Sequence, residues 1–283
     1  MKKIVSASRR TDLIAFFPDG LARAFREQKA RIRGPRGRAY EADLTPSAVH
    51  TIVLWSKDFS PLIGDAHGIR RAVEAYDQMY LLFTVTGLGG TFIEKGAPAP
   101  AAALSQLPAL VALAGNPKRV SLRFDPVVFW REGPAIRNNL PFFAEAAEQA
   151  AGAGIEDIRF SFTQWYGKSL RRARLHGFDY ADPGESEKIE AASGLAETAR
   201  RWKLTLHACG QNFLTRVPGI RASACIDGKL LRDLHPRKEE ASMVKDKSQR
   251  GECGCTESVD IGSYAQACPH GCLYCYANPH VAL

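Results

Sequence analysis

The sequence predicts an α/β protein, a partial TIM-like (βα)6 barrel that carries a cysteine-rich metal-binding segment at its C-terminal end. Six short apolar or β-branched runs recur along the chain up to residue 208, and Ala/Leu/Glu-rich segments with helical spacing separate them. Strands joined by helices of this length pair in parallel through right-handed crossovers. Five of the seven cysteines then lie between residues 253 and 275, which marks the C-terminal segment as chemically distinct.

The predicted strands and helices alternate along the chain. The six strands are residues 4–8, 49–55, 79–86, 119–124, 158–162 and 204–208. The main helices, with apolar side chains three or four positions apart, are residues 21–28, 68–77, 101–113, 140–151 and 185–202. Because a closed barrel of this type needs eight units, six units predict an open one. We expect the barrel to cover residues 1–215 and the cysteine-rich segment, packed on the barrel mouth, to cover residues 216–283.

The composition is that of an ordinary folded globular protein, with 45% hydrophobic and 24% charged residues. No apolar stretch approaches the roughly 20 residues that span a bilayer, so we expect no membrane association. The basic start of the chain reaches Arg9 and Arg10 before any adequate signal-peptide core, which predicts a cytoplasmic protein. A reducing cytoplasm keeps thiols free, so the cysteines are better interpreted as metal ligands than as disulfides.

Cationic side chains follow several of the predicted strands, at the carboxyl ends where functional groups of such folds lie. These cations are Arg9, Arg10, Lys57 and Arg123. Guanidinium groups bind carboxylate and phosphate through paired hydrogen bonds, so the residues predict an anionic small molecule or, given the net charge of +8, a nucleic acid. The alternative is that Asp12, Asp58 and Asp125 form ion pairs with these cations and fix the rim of the barrel.

A CxxxCxxC motif near the C-terminal end predicts a [4Fe–4S] cluster. Its cysteines are Cys268, Cys272 and Cys275. A short turn lets each sulfur reach a different iron of one cube, and the fourth iron is left without a cysteine. Pro269 and Gly271 suit the tight loop that this arrangement requires.

Four cysteines lie outside this motif, the number that saturates a tetrahedral zinc ion or a second, closed cluster. They are Cys209, Cys225, Cys253 and Cys255. The CxC pair is a good chelate, and the other two lie at or just beyond the sixth strand. Two alternatives stay open: Cys209 and Cys225 as small buried apolar residues, and Cys253 with Cys255 as a redox pair.

The segment from Tyr264 to Asn278 resembles the cluster-binding loop of radical S-adenosylmethionine (SAM) enzymes, particularly the spore-photoproduct-lyase-like branch with its aromatic-Cys-Tyr ending. In that superfamily the open iron chelates the amino and carboxylate groups of SAM. An electron from the cluster cleaves the sulfonium and gives a 5′-deoxyadenosyl radical. The resemblance implies that the three cysteines of the motif bind the cluster, that Tyr274 packs near the adenine, and that a flavodoxin or ferredoxin is the reductant.

In ordinary radical-SAM enzymes this loop follows the first barrel strand near the N-terminus. The resemblance therefore implies a circular permutation, in which residues 259–262 enter as a strand beside the N-terminal one. It also implies that Gly87, Gly89 and Gly90, together with Glu94, bind the amino group of SAM. Glycine turns after strands are also common for purely structural reasons, and this alternative stays open.

Over nearly its whole length the chain also resembles an uncharacterised bacterial family, named only as a domain of unknown function. The matching pieces are residues 6–12, 55–57, 123–126, 225–227, 245–250, 253–255 and 260–262. The leading functional hypothesis is an iron–sulfur enzyme of radical-SAM type that acts on an anionic substrate. The alternative is a non-catalytic zinc or iron–sulfur protein that binds nucleic acid or a phosphorylated ligand.

Overall fold

The computed structural model describes residues 1–33, 39–263 and 265–281, so Tyr264 of the cysteine segment lies outside the described residues. Its strands are β1 (Lys3–Ala7), β2 (Lys29–Arg33), β3 (Ala39–Asp43), β4 (Val49–Ser56), β5 (Met79–Thr84), β6 (Val120–Val127), β7 (Phe129–Glu132), β8 (Ala135–Asn138), β9 (Asp157–Phe162), β10 (Tyr180–Ala181), β11 (Thr205–Ala208), β12 (Ile220–Ala222) and β13 (Val259–Asp260). Its α-helices are α1 (Leu13–Phe16), α2 (Pro18–Arg26), α3 (Ser60–Ile63), α4 (Ile69–Glu74), α5 (Pro100–Leu104), α6 (Leu107–Ala114), α7 (Phe143–Gly152), α8 (Gly167–Leu175), α9 (Glu185–Arg201) and α10 (Gly228–Leu234).

Eight of the strands form one large sheet, in the order β12-β11-β9-β6-β5-β4-β1-β13. All neighbouring pairs in this sheet are parallel. The six predicted strands are its six central members, each within three residues of its predicted bounds, and the mixed α/β class is confirmed. The sheet has one further strand at each edge, β12 and β13. The partial (βα)6 barrel itself stays a prediction, because strand order fixes the direction of the strands and not the curvature of the sheet.

The central strands are buried on both faces, as parallel strands covered by crossover helices are. Alternate residues of β4 contribute to two different apolar clusters: Ile52 and Leu54 to the larger one, Val53 and Trp55 to the smaller. Apolar side chains of the helices complete the larger cluster. The smaller one is completed by the stretch 225–255, so the C-terminal part of the chain covers the second face of the sheet.

The five main predicted helices are present, one of them divided in two, and the short helices α1 and α3 were not among them. The stretch predicted as a helix at 101–113 forms α5 and α6, because Pro108 near the start of α6 would clash with the carbonyl of Leu104 in a continuous helix. Helix α8 was not predicted. Among the described residues, none of the helices is both long enough and apolar enough to pass through a membrane.

Two small antiparallel sheets stand apart from the large one. Strands β2 and β3 pair as a hairpin, and β10, β7 and β8 form a three-stranded sheet. Both edge strands of the large sheet, β12 and β13, belong to the segment predicted for residues 216–283. That segment is therefore part of the sheet as well as a cover for it.

Candidate metal centre

The strand β13 leads directly into the cysteine loop, which we define as residues 265–281. It pairs in parallel with β1 through the register Val5↔Val259 and Ser6↔Asp260, and this confirms the predicted strand beside the N-terminal one. Gly262 then passes so close to Ser8 that a Cβ atom on it would lie 1.9 Å from the Ser8 Oγ atom. The cysteine loop thus begins at the carboxyl end of an edge strand.

The cysteine loop is hydrogen-bonded to the glycine-rich loop that follows β5. The Gly96 N–H donates to the His270 carbonyl at 3.0 Å, and the Leu273 N–H donates to the Ile93 carbonyl at 3.0 Å. A Cβ atom on Gly96 would lie 2.2 Å from the Pro269 carbonyl oxygen, so only glycine allows this approach. The cysteine loop and the glycine-rich loop are therefore in direct backbone contact.

Asp12 connects the cysteine loop to the ends of two strands. Its carboxylate lies 2.7 Å from His270 Nε2, and it also accepts hydrogen bonds from the Lys57 N–H and the Ser56 hydroxyl. The other ring nitrogen of His270 lies 3.1 Å from the Gly96 carbonyl, and the histidine is buried. Sequence reasoning expected Asp12 beside a cation of the rim and missed this contact.

Glu94 and Lys57 form a buried ion pair beside the cysteine loop, with 2.9 Å between Lys57 Nζ and a Glu94 carboxylate oxygen. The same carboxylate accepts hydrogen bonds from the Thr86 hydroxyl and from the hydroxyl of Tyr274. Burial opposes the charge of Glu94, yet the Lys57 ammonium and these two donors hold the pKa of Glu94 below its ordinary value. Both groups of the pair are charged, and Cys272 lies near them.

A small pocket with room for about one water molecule borders this ion pair. Its lining includes Lys57, Thr86 and Glu94 together with the predicted glycines Gly87 and Gly89. Each of these glycines also has a packing reason. A Cβ atom would lie 2.5 Å from the ring of Phe142 at Gly87, whose φ is +79°, and 1.8 Å from the Pro98 carbonyl oxygen at Gly89.

Gly90, the third predicted glycine, has a φ of +76°, which glycine adopts without strain. No heavy atom of the described residues, its own chain neighbours aside, lies within 4 Å of where a Cβ atom would be. The positive φ at position 90 favours glycine there, whereas close packing does not require it. The turn therefore has structural reasons for its glycines and also lines the pocket.

The three cysteines of the loop occupy a buried to half-buried environment. Cys272 is buried, and Cys268 and Cys275 are half-buried. Burial raises the pKa of Cys268 to about 11 and that of Cys272 well above its ordinary value. Arg172 of α8 fixes the end of the motif by donating to the carbonyls of Leu273 and Cys275, at 3.1 and 2.7 Å.

The sulfurs of the cysteine loop stand apart from one another. Within the described residues no hydrogen-bond contact joins any two of Cys268, Cys272 and Cys275, and the three do not lie mutually within 4.8 Å. A [4Fe–4S] cube has each sulfur on a different iron and does not require them to converge on one ion. The donor set and its shelter from solvent therefore fit a cube.

The cations predicted to bind an anion do not converge on a single point, and each has a partner. Lys57 pairs with Glu94, and Arg123 pairs with Asp125. Arg9 donates to the Ser258 hydroxyl at 3.1 Å and lies 4.0 Å from Asp246. Arg10 donates to the Gly262 carbonyl at 2.8 Å and lies 3.9 Å from Asp260. Arg9 and Arg123 do share one neighbour, since both guanidinium groups lie over the Trp55 ring, at 5.3 and 5.0 Å from its centroid.

A family model described as "Domain of unknown function (DUF1848)" matches residues 4–277. The chain belongs to this family. A search of curated proteins finds no match. One solved structure that is similar, morphinone reductase, is 15% identical with a TM-score of 0.34; the match covers 77% of this chain and 55% of that one, so the chain spans about half of its length. Similarity at this level carries no argument about the DUF1848 chain.

The structure brings together the remaining four cysteines, Cys209, Cys225, Cys253 and Cys255, which we name the four-cysteine set. The sulfurs of Cys209 and Cys225 are 3.6 Å apart. Cys255 lies near both Cys225 and Cys253, and its side chain lowers the pKa of Cys253 to about 7. Each of the seven cysteines thus lies either in the cysteine loop or in the four-cysteine set.

A third group of possible metal ligands lies at the amino ends of the strands and was not foreseen. Asp77, His235 and Glu239 are the one group in the described part of the chain whose donor atoms lie within 4.8 Å of one another. Lys2 and Arg237 each contact both acids of this group. Two cations therefore already neutralise it, and it is better interpreted as an ion-pair network.

Proposed function

We propose that this protein is an iron–sulfur enzyme of radical-SAM type, with a permuted cluster loop on the C-terminal side of the sheet. The observation that carries the proposal is the position of β13, which runs parallel to β1 at the sheet edge and leads into the cysteine loop. A loop after this strand begins at the carboxyl end of the sheet, where the functional groups of such folds gather. A permuted cysteine loop would therefore still lie at the carboxyl end of the sheet, as the resemblance implies.

The proposed ligands of the cluster are Cys268, Cys272 and Cys275, each bound to one iron as a thiolate. The fourth iron would take the amino and carboxylate groups of SAM. Such a cluster would supply the chemistry of one-electron reduction of the SAM sulfonium, with a flavodoxin or ferredoxin as the source of the electron. The cysteine loop itself holds the ligands in a sheltered position, because Arg172 and the glycine-rich loop fix its backbone on two sides.

The proposed contact for the amino acid end of SAM is the Glu94–Lys57 pair. A carboxylate and an ammonium group beside Cys272 complement the ammonium and carboxylate groups of that end. The adjoining pocket has room for about one water molecule, so the amino acid end of SAM would have to displace the side chains that line it. Tyr274, whose hydroxyl donates to Glu94, is proposed to lie beside the adenine.

The proposed substrate is anionic, as the cations Arg9, Arg10, Lys57 and Arg123 suggest. Each of these cations already contacts an acid or a carbonyl, so an anionic substrate would exchange with an existing partner. Arg9 and Arg123 both lie over the ring of Trp55, so an anion held beside this residue would meet two positive charges.

Anaerobic reconstitution with iron and sulfide, followed by dithionite and SAM, tests the proposal. The wild-type protein should yield 5′-deoxyadenosine, measured by chromatography, and Cys272→Ala should yield none because one iron loses its ligand. Glu257→Gln is the control, since Glu257 is exposed and lies outside both groups of cysteines, and this variant should retain SAM cleavage.

Three results would contradict the proposal. These are a wild-type protein that binds no iron, one that binds a cluster without cleaving SAM, and a Cys272→Ala variant that still cleaves SAM. Zinc as the only bound metal would favour the non-catalytic alternative.

A further inference from the structure

The four-cysteine set joins three distant parts of the chain. Cys209 follows β11, Cys225 follows β12, and Cys253 and Cys255 lie in the loop before β13. The Ile226 N–H donates to the Cys255 sulfur at 3.3 Å, and the Thr256 N–H donates to the Ile226 carbonyl at 2.9 Å. These bonds hold the CxC loop against the backbone that follows β12, so the two parts approach as one unit.

One pair of these sulfurs has the spacing of ligands to one ion. With a zinc–sulfur distance of about 2.3 Å, the edge of a tetrahedron of four thiolates is about 3.8 Å, close to the 3.6 Å between Cys209 and Cys225. Cys255 lies near both Cys225 and Cys253, so the four cysteines are linked in the order Cys209, Cys225, Cys255 and Cys253. In the described residues no three of them lie mutually within 4.8 Å. Closing the tetrahedron therefore requires the two end cysteines, Cys209 and Cys253, to turn inward.

Three buried arginines surround the four-cysteine set. The guanidinium of Arg9 lies near Cys255 and Cys225, that of Arg123 near Cys225 and Cys209, and that of Arg159 near Cys225. Each has one buried N–H group that no acceptor among the described residues satisfies: Arg9 Nη2, Arg123 Nε and Arg159 Nε.

Unsatisfied buried donors of this kind are costly. Carboxylates already pair with two of these arginines, Arg123 with Asp125 and Arg159 with Asp157, but they leave the three N–H groups without an acceptor in the described part of the chain. Four thiolates around one dication retain a double negative charge and offer sulfur acceptors. Neutral thiols would offer neither the charge nor comparable acceptors, so a bound dication fits the surroundings of the set better than four free thiols.

We propose that Cys209, Cys225, Cys253 and Cys255 bind one zinc ion as four thiolates, and that Arg9, Arg123 and Arg159 balance the charge of this centre. Zinc suits a closed site made only of sulfur ligands. The ion would tie the stretch 225–255 to the sheet face on which Trp55 and Tyr80 lie. This site is separate from the proposed cluster and does not depend on it.

Metal analysis of the full chain, purified without chelators, tests this inference. Mass spectrometry of the metals should give about one zinc per chain in the wild type and in Cys272→Ala. Cys255→Ala should lose the zinc and, after reconstitution, keep the iron of the cysteine loop. Absence of zinc from the wild type, zinc retained by Cys255→Ala, or an iron–sulfur cluster on the four-cysteine set would each overturn it.

A measurement on the wild type covers the case in which Cys255→Ala does not fold. Exchange of the bound ion for Co²⁺ should give the strong thiolate-to-cobalt absorption and the intense visible bands of a tetrahedral four-sulfur site. Weak bands typical of oxygen or nitrogen ligands would contradict the proposal. A chain with zinc but no iron would overturn the proposed function and leave this inference intact, so the two failures are distinguishable.

The role of the arginines has its own test. Arg159→Gln removes the positive charge, and it should weaken zinc binding about 10- to 100-fold in competition with a chelating dye. The control is Arg221→Gln on β12, because Arg221 is exposed. Equal zinc affinity in the two variants would remove the charge-balancing part of the proposal.

Discussion

The cysteine loop and the four-cysteine set differ in how they are built. Cys268, Cys272 and Cys275 come from eight consecutive residues, and their sulfurs do not touch one another within the described part of the chain. The four-cysteine set comes from three segments that are up to 46 residues apart in sequence, between Cys209 and Cys255, and its cysteines are linked in series. The first site is local, and the second exists only when the sheet is assembled.

This difference separates the two proposed roles. In the proposed cysteine loop, three thiolate ligands would leave one iron of the cluster open. A metal ion on the four-cysteine set would contribute to folding, since it would draw β11, β12 and the loop before β13 together. The surroundings agree with this division: one ion pair and a small pocket adjoin the cysteine loop, and three buried arginines adjoin the four-cysteine set.

The largest expected effect is on stability and concerns the four-cysteine set. Cys255→Ala should lower the free energy of unfolding by about 4 kcal/mol or more, because loss of a structural metal is a loss of folding energy. At about 2–4 °C per kcal/mol, thermal unfolding followed by circular dichroism should move down by roughly 8–16 °C. Cys272→Ala should cost only about 1–2 kcal/mol. Equal decreases of the unfolding temperature in Cys255→Ala and Cys272→Ala would contradict the proposed difference between the two sites.

The next effect concerns SAM binding and should appear only at the cysteine loop. Glu94→Gln removes the carboxylate proposed to bind the SAM ammonium, and a charged hydrogen bond of about 1.5–3 kcal/mol corresponds to roughly 10- to 150-fold weaker binding. Equilibrium dialysis with the reconstituted protein measures this change. The exposed Glu257→Gln is the control, and cluster absorbance should be the same in both variants. Unaltered SAM affinity in Glu94→Gln would remove Glu94 from the site.

A smaller effect is expected where the cysteine loop is fastened to the sheet. His270→Phe removes the hydrogen bonds to Asp12 and to the Gly96 carbonyl, at a cost of about 1–2 kcal/mol. Hydrogen exchange should become faster in residues 268–281 and stay unchanged around the four-cysteine set. Faster exchange throughout the sheet would mean that the cysteine loop is not the independent unit described above.

The smallest effect concerns the protection of the proposed cluster. Arg172→Lys loses the two bonds to the carbonyls of Leu273 and Cys275, which are worth roughly 0.5–1.5 kcal/mol each, and the cluster should bleach a few-fold faster in air. The neighbouring exposed Arg171→Lys is the matched control. If both variants bleach at the wild-type rate, the arginine has no part in holding the loop.

The sequence predicts the large sheet well, because its central strands are buried on both faces and therefore appear in the sequence as continuous stretches of apolar residues. It does not predict β2, whose pattern KARIR alternates buried Ala30 and Ile32 with exposed charges. Nor does it predict α8, in which a charged run looks like an exposed surface although Ala173 is fully buried. Amphipathic elements with few apolar residues depend on the packing partner that they find.

The candidate sites divide in the same way. The CxxxCxxC spacing points to the cysteine loop without any knowledge of the fold. Asp12 and His270 are 258 positions apart in the sequence, and no local pattern predicts their contact. The four-cysteine set was accessible only by counting the cysteines that remained, because its members meet through the order of the strands. The pairing of each predicted anion-binding cation with an acid or carbonyl likewise depends on tertiary contacts.

The central claim is that the cysteine loop binds a cluster with one iron open to SAM. The most direct measurement is electron paramagnetic resonance of the reconstituted, dithionite-reduced protein, recorded with and without SAM. We expect the signal of a reduced [4Fe–4S] cluster, a change in its g values when SAM is added, and no such signal in Cys272→Ala. A signal that SAM does not alter, or one that persists in Cys272→Ala, would contradict the claim.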